Sequence, residues 1–243
     1  FMEAYRYPFL RFAGIHIHIG SQITRPKPFV EAVKKALRFI DSVRLANHPV
    51  EYLNIGGGLG IIYSKEKPQT AREFAEVILP LFKNYDLKRG LKIILEPGRF
   101  ISGNSGILVT KVLYEKMVQG KSFVIVDAGM NDLIRPALYG AYHEILPVVK
   151  KRGRMSGVPM DVVGPICESG DFLARERKLA QVRPGDLLAV MSCGAYGFVM
   201  SSNYNSRARA PEVVVKGRRF FIARRRETFE DLVRNERIVR EAI

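Results

Sequence analysis

The run Val50-Glu51-Tyr52-Leu53-Asn54-Ile55 ends in Gly56-Gly57-Gly58-Leu59-Gly60, an apolar strand candidate that passes directly into a cluster of glycines. Two other places in the first hundred residues repeat the plan. Gly14–Ile19 leads into Gly20-Ser21-Gln22, and Leu91–Leu95 leads into Glu96-Pro97-Gly98-Arg99. Helical patterns separate them: Phe29–Leu45, with apolar residues at 29, 33, 37 and 40, and Ala71–Tyr85, with Phe74, Ile78 and Leu81 on one face. Strand–helix alternation predicts a parallel sheet with helical crossovers. The spacing is regular, 38 positions from His18 to Gly56 and 39 from Gly57 to Glu96. In a β/α barrel, functional side chains gather at the C-terminal strand ends. Three chemically equipped strand ends in register therefore point to one shared ligand.

The chain of 243 residues is long enough for one large domain or two modest ones. Beyond about residue 105 the pattern changes to short β-type runs: Ile107–Tyr114, Phe123–Asp127, Glu144–Val149, Val158–Val163, Leu187–Met191, Glu212–Lys216 and Arg218–Ala223. They predict a β-barrel or sandwich. Thr228–Glu241 reads as a closing helix, with Thr228 and Asp231 spaced as a capping pair. The division expected is residues 1–105 and 106–243.

Two cysteines, Cys167 and Cys193, lack metal-type spacing and suit a reducing, cytoplasmic setting. No apolar run approaches the roughly 18 residues needed to span a bilayer, and the first ten residues do not have the plan of a signal peptide. The net charge of +15 is spread out, densest at Lys216, Arg218, Arg219 and Arg224-Arg225-Arg226. No RNA-binding aromatic motif or zinc finger accompanies it, so the expectation is a solvated surface or attraction for anionic metabolites, with neither nucleic acid nor membrane as partner.

Several residues carry chemistry. The glycine run lets backbone N–H groups approach a phosphate, or serves as a tight turn; it fits neither the Walker loop nor the dinucleotide fingerprint. His16 and His18 alternate along one strand face, as a metal-ligand pair without a nearby third ligand, a platform for a flat ring, or core histidines. Glu96 is a carboxylate held at a strand end by the following proline. Gly164-Pro165-Ile166-Cys167-Glu168-Ser169-Gly170-Asp171 puts a thiol and a carboxylate side by side in a turn. The thiol is a proton donor or a structural cysteine, and the carboxylate is a partner for an ammonium.

Taken together, these motifs resemble the fold-type III pyridoxal-phosphate decarboxylases, and within them the diaminopimelate decarboxylase branch. The family marks are His16-Ile-His18-Ile-Gly-Ser21-Gln22, Gly56-Gly57-Gly58 and Glu96-Pro-Gly-Arg99. The branch marks are Cys167-Glu168-Ser169-Gly170-Asp171, Arg135-Pro-Ala-Leu-Tyr139 and Gly194-Ala-Tyr196 through Tyr204-Asn205-Ser-Arg207. The resemblance implies three βα units of a pyridoxal 5'-phosphate-binding (β/α)8 barrel of the TIM type, followed by a β-barrel or sandwich domain carrying substrate and dimer-site residues. It implies that His18 stacks on the pyridine ring. Ser21, Gly56, Gly57, Gly58, Gly98 and Arg99 would bind the phosphate, and Glu96 would face the pyridine nitrogen. Arg99, Arg135 and Tyr139 would hold the substrate's distal carboxylate and Glu168 its ammonium, Cys167 would return a proton to the substrate carbon, and Tyr196 would touch both cofactor and substrate. No metal is implied.

In that family Cys167 and Glu168 serve the partner subunit's site, so a homodimer with shared sites is expected. The activity implied is conversion of meso-2,6-diaminopimelate to L-lysine and carbon dioxide, the last step of lysine biosynthesis. Alternatives are a decarboxylase of another amino acid, such as D-ornithine or D-lysine, and a non-catalytic homologue. The family's cofactor-holding lysine lies ahead of the His-x-His motif, and no lysine of this chain sits in a matching motif. The expectation is thus a C-terminal part of a longer enzyme, inactive alone.

Overall fold

The computed structural model describes residues 3, 6–45, 49–85, 90–149, 158–179 and 181–238. They form two compact units, Phe1–Asn104 and Ser105–Ile243.

In the first unit the strands are β1 (Gly14–His16), β2 (Tyr52–Asn54) and β3 (Lys92–Ile94), and the helices are α1 (Lys27–Leu45), α2 (Ala71–Ile78) and α3 (Gly98–Ser102). The three strands lie side by side in sequence order and pair in parallel, as the alternation predicts. His16, Asn54 and Ile94 share one register row, so all three strands finish level. Hydrogen bonding continues one step beyond: Ile17 N donates to Asn54 O at 2.9 Å, Ile55 N to Ile94 O at 3.0 Å and Glu96 N to Gly56 O at 2.9 Å.

Helix α1 buries Phe29, Val33, Leu37, Ile40 and Val43, the face its period predicts, over Leu53, Ile55 and Leu91. Each such side chain contributes about 1.5–3 kcal/mol on full burial. Phe29 meets Phe74 of α2 edge to face at 5.1 Å. Helix α2 opens on a capping box, Thr70 with Glu73. It is shorter than the apolar period predicts, because Pro80 has no N–H for the next helical bond and the chain tightens into a 3-10 turn over Leu79–Phe82. The first strand also stops early, at His16, so His18 belongs to the following loop and not to a strand. His16 and His18 nevertheless both stay exposed, with Ile17 more covered between them.

The second unit contains β4 (Leu108–Val118), β5 (Lys121–Val126), α4 (Arg135–Tyr139), β6 (Ile145–Pro147), β7 (Met160–Val163), β8 (Phe172–Arg177), β9 (Leu187–Val190), β10 (Glu212–Lys216), β11 (Arg219–Arg224) and α5 (Phe229–Val233). Six strands form one sheet in the order β6-β9-β4-β5-β7-β8, and β10-β11 is a separate hairpin. The long β4 pairs with β9 through Leu108–Lys111 and with β5 through Val112–Val118, with an irregularity near Val112. The β domain expected of this half is present as a single mixed sheet with a separate hairpin.

Strands β4 and β5 run longer than the apolar pattern predicts because Gln119 and Gly120 both take positive φ, 49° and 79°, and form a tight reversal between them. Strand β8 has no counterpart among the predicted runs. Arg175, Glu176 and Arg177 mask it, although Leu173 and Ala174 are buried. The core gathers Val112, Val124, Val126, Leu133, Val162, Leu173, Leu188 and Val190. The Thr228–Asp231 capping box is present, but α5 ends at Val233, and residues 239–241 of the predicted helix lie outside the described residues. Among the described residues no helix is long and apolar enough to cross a membrane.

Candidate active site

In the first unit the three strand ends are locked by backbone contact. A Cβ on Gly57 would stand 2.3 Å from Glu96 O, and one on Gly58 would stand 2.2 Å from Gly20 O. Gly58 also takes φ +98°, which side-chain-bearing residues rarely adopt. The glycine run is therefore a wedge between its two neighbours, and its tightness comes from protein backbone. Gly58→Ala should destabilise the chain by about 3 kcal/mol or more. Gly98→Ala, where a Cβ meets nothing within 4 Å, should change stability by no more than about 0.5 kcal/mol. Urea unfolding of the two variants checks this; equal stability would contradict the wedge.

The wedge sets the polar groups. Asn54 Oδ1 accepts Gly56 N at 2.9 Å, which fixes the amide and turns its Nδ2 to donate to Glu96 Oε1 at 2.6 Å. His16 Nε2 lies 3.7 Å from the same Glu96 oxygen. His18 leans over the loop: a Cβ on Gly56 would be 3.2 Å from its Nδ1. Arg99 donates from Nη2 to Ser21 Oγ at 3.0 Å and from Nη1 to the Tyr63 hydroxyl at 3.1 Å. Gln22 ties the loops together, donating to Ile61 O at 2.7 Å and accepting Ile61 N at 3.2 Å. Beside Ser21 and Arg99, a Cβ at Gly20 or Gly98 would meet no protein atom within 4 Å. His18, Ser21, Gly56, Gly57, Gly58, Glu96, Gly98 and Arg99 thus all belong to one group of strand ends.

In the second unit, Asp171 organises the turn that carries Cys167 and Glu168. Its carboxylate accepts Met130 N and Ile166 N, each at 2.6 Å. Burial pushes the Asp171 carboxyl above its ordinary value, against those two N–H groups and Arg207, which pull it down. Cys167 stands exposed on this turn. Glu168 accepts Gly170 N at 3.1 Å and a long bond from the Tyr204 hydroxyl at 3.5 Å. A Cβ on Gly170 would touch Glu168 Cγ on one side and Ala137 Cβ on the other, at 3.7 and 4.0 Å. The turn therefore lies against α4, the helix that carries Arg135 and Tyr139.

These two differ in setting: Arg135 is 6% exposed and Tyr139 64%. Tyr196 holds a left-handed φ of 57°, a conformation that costs energy in a non-glycine residue. It lines a cleft of about 630 Å³ with Asp132, Phe198, Arg209 and Arg224, which does not include Cys167, Glu168 or Arg135. The second thiol, Cys193, is pushed up to about 12 by burial and is no proton donor near neutrality. Sequence reasoning missed Asn54, Tyr63 and His143, and named Tyr204 only as part of a branch motif. Asn54 left a trace, a lone amide inside an apolar strand; Tyr63 and His143 had none.

A family model described as "Pyridoxal-dependent decarboxylase, C-terminal sheet domain" matches residues 19–194. The chain belongs to the pyridoxal-dependent decarboxylases. The diaminopimelate decarboxylase of Aquifex aeolicus is 49% identical over 225 residues, 92% of this chain and 52% of that protein. Among solved structures, diaminopimelate decarboxylase from M. jannaschi superposes with a TM-score of 0.91 at 36% identity, covering all of this chain and 56% of the other. The Helicobacter pylori diaminopimelate decarboxylase complexed with L-lysine gives a TM-score of 0.86 at 39% identity, covering 96% and 57%. The chain spans about half the length of the curated relatives it matches. The residues present fit the family's cofactor: a hydroxyl and a guanidinium meet beside open space suited to a phosphate, and a carboxylate, Glu96, stands on the same strand end as that guanidinium.

Proposed function

We propose that this chain is the C-terminal part of a pyridoxal-phosphate-dependent decarboxylase that converts meso-2,6-diaminopimelate to L-lysine and carbon dioxide. On this reading the three-stranded parallel unit is part of a (β/α)8 barrel. The two free thiols suit a cytoplasmic enzyme. Ser21, Gly56–Gly58 and the Gly98–Arg99 turn hold the phosphate, and His18 covers a face of the ring. Glu96 keeps the pyridine nitrogen protonated. The cofactor, when bound, supplies an electron-withdrawing ring that takes up the electron pair left as carbon dioxide departs.

The observation that carries the substrate assignment is that Glu168, a carboxylate on an exposed turn, and Tyr139, exposed on the helix that carries Arg135, are both open to a neighbouring subunit, so that one subunit can offer Glu168 where its partner offers Arg135 and Tyr139. A distal end bearing both an ammonium and a carboxylate satisfies both. Glu168 takes the ammonium, while Arg135, Tyr139 and Arg99 take the carboxylate. Ornithine- or lysine-type substrates that present only a distal ammonium leave the arginine unmatched. Cys167 returns a proton to the substrate carbon, Tyr196 contacts both cofactor and substrate, and Cys167 and Glu168 act in the site of a second subunit.

Carbon dioxide release by the complete enzyme tests the assignment. The kcat/KM for meso-diaminopimelate should exceed that for D-ornithine or D-lysine by about a hundredfold or more. Equal or better turnover of either diamino acid with one carboxylate would overturn it.

A further inference from the structure

His143 is fully buried, and the activity above gives it no part. Its Nε2 lies 3.0 Å from Arg135 Nη1 and its Nδ1 lies 2.8 Å from Met191 O. A guanidinium only donates, so Nε2 must be the acceptor; the ring proton then sits on Nδ1 and donates to the Met191 carbonyl. Both contacts require one neutral tautomer. Burial, followed by the charges of Arg135 and Arg177, holds the imidazole's pKa down to about 4 even though the Met191 bond raises it. The Cys193 Sγ, 3.8 Å from Nδ1, is turned to carbonyls, donating to Val190 O at 3.2 Å.

We propose that His143 is a positioning residue: its neutral acceptor nitrogen fixes the Arg135 guanidinium for the substrate's distal carboxylate without adding a negative charge of its own. This rests on the reading of Arg135 given above. A buried arginine is usually steadied by a carboxylate, which would cancel the charge and compete with the incoming substrate carboxylate. A neutral imidazole supplies an acceptor without the competing charge. The backbone carbonyl of Met191 sets which nitrogen accepts, much as the outer partner of a metal-bound histidine does.

The experiment uses the complete holoenzyme and separates this role from general damage to the fold. His143→Leu removes the acceptor. KM for meso-diaminopimelate should rise about tenfold, the loss expected for a hydrogen bond to a charged group, with kcat within about twofold. Inhibition by L-lysine, which keeps the distal carboxylate, should weaken by a similar factor. Inhibition by 1,5-diaminopentane, which lacks it, should not change. His143→Gln offers a neutral acceptor and should recover KM to within about threefold.

An unchanged KM in the leucine variant, equal weakening of both inhibitors, or a glutamine variant no better than leucine would each overturn the proposal. Arg135→Met separates the two layers. If it raises KM and His143→Leu does not, only the role of His143 falls; if it leaves KM alone, the carboxylate reading of Arg135 falls as well. Should the leucine variant not fold, nitrogen-15 spectra of histidine-labelled enzyme decide, with His143 assigned through the glutamine variant. A neutral Nδ1–H ring at pH 7 is expected, and an imidazolium or an Nε2–H ring overturns the proposal.

Discussion

In the complete enzyme, Glu96→Gln is expected to lower kcat on the order of a hundredfold while cofactor content stays near that of the parent. The geometry explains the split. Asn54 donates to Glu96 Oε1, and its amide cannot turn because its other end accepts Gly56 N. A glutamine carbonyl accepts the same bond, so the strand end keeps its shape. Of the proposed phosphate anchors, Ser21 lies on another strand end and Arg99 lies further along the same one, held by its bonds to Ser21 Oγ and the Tyr63 hydroxyl, which the substitution leaves in place. What disappears is a negative charge able to hold a proton on the pyridine nitrogen, and that charge matters most as the electron pair develops. Its loss therefore falls on the transition state and not on binding. A kcat equal to the parent's would remove Glu96 from the chemistry.

The second large effect concerns Cys167. Cys167→Ala should lower kcat steeply in a homodimer, and mixing should restore part of it. In a mixture with a variant lacking the cofactor-holding lysine, random exchange makes about half the dimers mixed, each with one intact site, or roughly a quarter of full activity. The setting of the thiol suits the proposed service: it stands exposed on a turn that Asp171 fastens through Met130 N and Ile166 N, whereas Cys193 is only half exposed. If mixing restores nothing although subunits demonstrably exchange, Cys167 serves its own subunit or does no chemistry.

The parallel order of β1, β2 and β3 was legible because helical and strand periods alternate cleanly, and the strand ends were legible because glycine, proline and charge cluster there. Element lengths were less so. Pro80 cut α2 short and the Gln119-Gly120 reversal lengthened β4 and β5, both local events inside otherwise regular patterns. Strand β8 was hidden by three consecutive charged residues, whose exposure depends on pairing with β7 that no local pattern reveals. The same holds at the site. The side chains singled out were those carried by recognisable motifs, and those whose meaning lies in a distant partner were not singled out. Tyr63 matters through Arg99, 36 positions away, and His143 through Met191, 48 positions away.

The glycine wedge has a consequence for how this site can change over evolutionary time or in the laboratory. Gly57 presses on the carbonyl of Glu96 and Gly58 on that of Gly20, so the proposed ring carboxylate and the loop of the proposed phosphate anchor Ser21 share one stiff piece of backbone. A displacement of either strand end is handed to the other through contacts with no side chain to yield. On the proposed reading, grip on the phosphate and aim at the ring are therefore inherited as a single trait. A new substrate preference would then be sought elsewhere, in the α4 helix and the Asp171 turn, whose proposed recognition elements are side chains that can be exchanged one at a time.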